Sequence, residues 1–81
     1  MKDIKTALRG FILENLLPGE DPANLTDDLE LKESGILDSM STLKLVTFLE
    51  ELYQIEFEAN DLDSANLASI NTIERLVRSK L

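Results

Sequence analysis

The sequence predicts an all-α fold: a small four-helix bundle of three long helices and one short one, with a long first loop. Three observations predict it. Apolar residues recur at helical spacing in residues 3–17, 39–53 and 69–80. Proline, glycine and capping residues separate those stretches. The one run that alternates apolar and polar, residues 54–60, is short and has no second strand to pair with. At 81 residues the chain is expected to form one domain over 1–81, with a core built from a few closely packed helices.

In the first helix Ile4, Ala7, Leu8, Phe11, Ile12 and Leu16 share a face, with Thr6, Arg9, Gly10 and Glu14 largely opposite. Asp3 suits its start. Gly10 weakens it by ~1 kcal/mol relative to alanine without ending it, and Pro18-Gly19 ends it. Residues 18–38 form a long acidic loop, and loops of that length in a small domain tend to be functional. Leu25, Leu29, Leu31, Ile36 and Leu37 are expected to pin it to the helices, with room for a short helical turn. Gly35 is expected to take a backbone conformation that other residues resist.

The second helix begins at Gly35-Ile36-Leu37-Asp38-Ser39-Met40. Asp38 and Ser39 are both good N-caps. On a wheel of ~100° per residue, Leu45, Val46, Phe48, Leu49, Leu52 and Tyr53 form the core face. Lys44, Thr47, Glu50, Glu51 and Gln54 lie opposite. Met40 and Leu43 fall on that polar side close to Ser39, so they are read as a small contact patch. A helix start also suits a bound or attached phosphate, because free amides and the dipole point at it. Residues 54–60 are read as an extended loop with Ile55 and Phe57 turned inward, and 61–67 as the short helix, with Leu62 and Leu67 inward. In the last helix Ile70, Ile73, Leu76, Val77 and Leu81 share a face. Ser69 is a candidate cap, and Asn71 with Glu74 is a competing capping box.

Composition narrows the function. There is no cysteine and no histidine. Disulfides, thiolate metal sites, a cysteine nucleophile and the commonest general base are all excluded, so no catalytic or metal-ligating residue is assigned and an enzyme is not expected. Net charge is −8, which disfavours nucleic acid. The charge is uneven: residues 1–13 and 64–81 carry +2 each and residues 14–63 carry −12. An acidic middle of that kind steers basic partners, and it also keeps a small protein dissolved. No apolar run is long enough for a signal peptide or a membrane span. A cytoplasmic monomer that does not insert in membranes is therefore expected.

These residues resemble the carrier proteins, the family of acyl carrier proteins and of the peptidyl carriers of nonribosomal synthetases. Residues 35–40 match its Gly-x-x-Asp-Ser-Leu pattern with Met40 in place of leucine. Leu45-Val46, Leu49-Glu50-Glu51, Tyr53-Gln54-Ile55, Asp61-Leu62, Asn66-Leu67 and Ser69-Ile70 continue it at the family's spacing. The resemblance implies a free-standing carrier with an acyl-carrier-protein type of fold. It implies that a phosphopantetheinyl transferase attaches 4′-phosphopantetheine from coenzyme A to Ser39, supplying the thiol that the chain lacks. Asp38 would help position that transferase's metal and coenzyme A. Met40, Leu43, Glu50 and Glu51 would meet partners, namely an acyl- or aminoacyl-loading ligase and downstream synthases. Lys44, Ser41 and Gln54 depart from housekeeping fatty-acid carriers, which favours a specialised fatty acid, polyketide or nonribosomal peptide pathway. A cavity lined by Phe48, Leu52, Ile70 and Ile73 would shelter an acyl chain, whereas a solid core is the commoner arrangement. The competing reading is a small acidic helical adaptor in which Ser39 is only a cap.

Overall fold

Asp3 starts the first helix as its sequence requires, its carboxylate accepting from the Thr6 amide at 3.1 Å. The computed structural model describes residues 3–17, 19 and 21–81, the Pro22 side chain excepted. Three helices make up the framework: α1 (Ile4–Phe11), α2 (Ser39–Tyr53) and α3 (Ile70–Lys80). Two 3₁₀ turns, Pro22–Asn24 and Ala59–Leu62, lie in the connections, and the described residues contain no strand. The fold is therefore all-α. No described helix is long and apolar enough to cross a membrane.

The expected first helix over 3–17 is present with one change of pitch. After Phe11 the chain continues as a π turn, Ile12–Leu16, closed by the Leu17 amide donating to the Ile12 carbonyl at 2.9 Å. Ile4, Ala7, Leu8 and Ile12 are buried as expected and Phe11 is half-buried; the wider turn advances fewer degrees per residue, so the wheel drifts beyond Ile12 and Leu16 is only half-buried. The expected stop at Pro18 lies outside the described residues.

The short helix expected over 61–67 is not an α-helix. Ala59–Leu62 is a 3₁₀ turn and residues 64–67 form a separate turn. The break falls at Asp63, whose extended backbone (φ −58°, ψ 148°) ends the 3₁₀ turn, and whose carboxylate then caps the next turn by accepting from the Ala65 amide. Leu67 is nevertheless buried and Leu62 half-buried, as expected.

Ser69 caps α3, accepting from the Thr72 amide at 3.3 Å, while Thr72 Oγ1 accepts from the Ser69 amide at 3.0 Å. The competing Asn71–Glu74 box does not form, because the Asn71 amide donates to the Asp27 carbonyl of the long loop. Within that loop the Leu31 amide donates to the Ala68 carbonyl, and Leu25, Leu31 and Leu37 are fully buried. The loop thus becomes a wall of the core, joined by Leu8, Ile12, Leu45, Leu49, Ile70, Ile73 and Val77. α1 packs against α3. Two residues placed inward by periodicity lie at the surface. Leu81 is 58% exposed just beyond the last turn of α3, and Leu52 is 42% exposed. A wheel gives direction around an axis, not whether another element covers that level, and the level of Leu52 near the end of α2 is open.

Candidate functional site

At the junction of loop and α2 the chain has to aim one serine outward and still cap a helix. Gly35 turns first, with φ +84°, a conformation that glycine adopts without strain. Ser34 and Gly35 donate back to the Glu30 and Lys32 carbonyls, and the Leu37 amide donates to the Leu31 carbonyl. Leu37 is thereby driven into the core and Asp38 arrives at the start of α2 in extended conformation.

Both Asp38 and Ser39 were sequence candidates for the cap, and Asp38 takes it. Its Oδ1 accepts from the Ser41 amide at 2.8 Å, and Ser41 Oγ accepts from the Asp38 amide at 2.8 Å. Ser41 also donates to the Ile36 carbonyl at 3.2 Å. The Ser41 amide, then its hydroxyl, hold the Asp38 carboxyl below its ordinary value. Ser39 is the first residue inside the helix and is exposed. Among the described residues its hydroxyl has no hydrogen-bond partner.

Ser39 opens onto a shallow cleft shared with Lys32, Leu37, Asp38, Thr42 and Leu43. Lys32 was not singled out as a site residue by the sequence, since only the fold of the long loop brings it there. Its Nζ donates to Ser64 Oγ at 3.2 Å, bridging the loop to the turn before α3. Met40 and Leu43 are 70% and 64% exposed, an apolar pair on the solvent side of α2 beside Ser39.

Glu50 and Glu51, taken together from sequence, are separated by the structure. Glu50 is half-buried and accepts from the Phe57 amide at 2.9 Å, bracing the extended segment after α2. Glu51 is exposed and lines a second groove of about 590 Å³ between α1 and α2, with Leu43, Lys44, Thr47, Asn15 and the stacked pair Phe11–Phe48. The two rings lie 4.5 Å apart between centroids at 25°. The π turn that carries Asn15 beside this groove has no signal in the sequence, where residues 12–16 read as ordinary helix. Of the interior set expected to shelter an acyl chain, Ile70 and Ile73 are fully buried, Phe48 packs against that core and stacks on Phe11, and Leu52 lies outside it at the surface.

No family model matches the chain. It is similar to the D-alanyl carrier protein of Lacticaseibacillus casei (strain BL23), with 32% identity over 69 residues that cover 83% of this chain and 85% of that protein.

Proposed function

Because the chain belongs to the family of free-standing carrier proteins, we propose that it carries an acyl or aminoacyl group on a 4′-phosphopantetheine arm attached to Ser39. The observation that carries this is the division of roles at the start of α2. Asp38 and Ser41 do the capping, which leaves the exposed Ser39 hydroxyl unengaged. A serine serving only as a cap would have spent that hydroxyl on an amide.

The residues present fit the arm. Its phosphodiester would lie at the start of α2, where the helix dipole favours a negative group, with Lys32 lining the same cleft against the negative Asp38 carboxylate. Leu37 and Leu43 give the cleft an apolar side for the methyl-bearing stem. Attachment forms the bond from Ser39 Oγ to phosphorus as the pyrophosphate bond of coenzyme A breaks; 3′,5′-ADP leaves and the serine proton passes to the transferase. When attached, the arm supplies a thiol, which the chain otherwise lacks, for thioester bonds to cargo. Met40 and Leu43 offer partner enzymes an apolar contact beside the attachment point.

Aminoacyl cargo is the favoured class. The similar protein is by name a D-alanyl carrier, and the filled core around Ile70 and Ile73 suits a small group better than a long chain that must be sheltered. Partners would then be a phosphopantetheinyl transferase, an aminoacyl-loading ligase and an acceptor enzyme.

Intact mass before and after incubation with coenzyme A, magnesium and a broad-specificity phosphopantetheinyl transferase tests the proposal. One arm per chain is expected, and none on Ser39→Ala, whose circular dichroism should match the wild type because Asp38 still caps α2. An unmodified, folded wild-type chain after that treatment would count for the adaptor reading.

A further inference from the structure

Ser39, Leu43, Thr47 and Glu51 follow at four-residue steps, so they form one exposed stripe along α2. Leu43 belongs both to the cleft at Ser39 and to the groove against α1, so the two run together along that stripe. The groove's apolar surface is the Phe11–Phe48 stack. Its polar groups come in a definite order. Lys44 is nearest Ser39 along the helix, Thr47 follows, with Asn15 across the groove, and Glu51 closes the far end. Among the described residues neither Lys44 nor Glu51 is engaged in an ion pair.

Neutral polar groups and then an anion: this matches the outer part of an aminoacylated phosphopantetheine, which has two amides along its length and an ammonium at its tip. We propose that the α1–α2 groove is a resting site for the aminoacylated tip of the arm on Ser39, with Glu51 receiving the ammonium and the Phe11–Phe48 stack covering the tip. The inference rests on the carrier reading above. Span and reach agree. From Ser39, Phe48 lies ~13 Å and Glu51 ~18 Å along the helix axis. An extended arm has a backbone about as long as a four- to five-residue peptide, ~15 Å, and the aminoacyl group lengthens it. The Glu51 side chain leans toward the helix N-terminus, back toward Ser39. An ammonium so placed meets the Glu51 carboxylate beside the aromatic pair, whereas a plain acyl tip gains only the apolar contact. The groove therefore selects amino over simple acyl cargo.

The test compares two arms of nearly equal size, ending in D-alanyl and in propionyl amides that resist hydrolysis. Both are attached to the full chain from the matching coenzyme A analogues, and intact mass verifies attachment at Ser39. For the D-alanyl arm, NMR should show contacts from its methyl group to the Phe11 and Phe48 rings and shifts at the Thr47 and Glu51 amides. For the propionyl arm these should be about threefold weaker, the share of a surface ion pair. Glu51→Gln should bring the D-alanyl arm down to the propionyl level and leave the propionyl arm unchanged, which a merely structural effect of the substitution would not do. Shifts confined to residues 38–41 with the D-alanyl arm in place would overturn the resting site and leave the carrier reading standing. Undiminished ring contacts in Glu51→Gln would overturn the role of the carboxylate, and with it the selectivity. Failure of both arms to attach would overturn both readings.

Discussion

Asp38 and Ser39 are adjacent, polar and similar in capping preference, yet the backbone gives them opposite fates. Asp38 stays extended and turns its carboxylate onto the first turn, and Ser39 enters the helix one position later with its hydroxyl outward. Because the Asp38 carboxyl is held below its ordinary value by Ser41, the sign of its pH effect follows. Its contribution to stability is fully present above the ordinary carboxylate pKa and is lost as pH falls through the lowered one. Asp38→Asn keeps an acceptor for the Ser41 amide but gives up the charge. Urea midpoints of wild type and Asp38→Asn should thus differ most at neutral pH and converge in the acid range; a constant gap would show that charge plays no part in this cap.

The three helices were legible because each combines a helical apolar period with a cap that the structure uses: Asp3, Asp38 and Ser69 all accept from an amide of the first turn. The junction at Ser39 and the exposure of Met40 and Leu43 were legible for the same reason, since a wheel predicts direction well near a well-marked start. Three things were not. The π turn at Ile12–Leu16 leaves no mark in residue type. The short helix is divided at Asp63, whose extended backbone has no signal in its residue type. Lys32 and Asn15 reach their clefts only through the fold. Gln54 is an intermediate case: it ends α2 in the left-handed region at φ 56°, a place that favours glycine, and its side chain donates to the Glu51 carbonyl at 2.8 Å. Gly10 shows the same economy reversed, a glycine inside α1 where no left-handed turn is needed. A Cβ built there meets nothing within 4 Å. Gly10→Ala should stabilise the chain by ~0.5–1 kcal/mol, raising Tm by roughly 2–8 °C for a domain of this size. An unchanged or lower Tm would mean that the groove side of α1 needs the bare backbone.

Across the whole molecule, opposite charges are gathered where elements meet and like charges are left outside. Arg9 donates to the Leu25 carbonyl and pairs with Asp27, while Lys5 lies 3.5 Å from Asp27 and 3.9 Å from Glu74, so α1 holds both the long loop and α3. Lys80 pairs with Asp61 at 2.6 Å, tying the end of α3 to the 3₁₀ turn. The remaining surface carries most of the net −8. Such self-repulsion opposes a compact state and is screened by salt. Urea midpoints should rise as salt is increased from low to physiological ionic strength and then level off, and a falling midpoint would instead give the ion pairs between elements the larger part.

Two backbone bonds, from the Leu31 amide to the Ala68 carbonyl and from the Asn71 amide to the Asp27 carbonyl, fasten the long loop to α3 and the turn before it, beside the bond from Lys32 to Ser64. Any residue with an amide hydrogen can make those bonds. Glu30 and Glu33, exposed beside them, are therefore free to be rewritten, and evolution or a designer can recharge this face for a new partner without loosening it. At position 71 the residue it cannot accept is proline. Position 71 lies in the first turn of a helix, where proline is ordinarily harmless. Here it would cut a tether, and a library of substitutions at position 71 should reveal that intolerance.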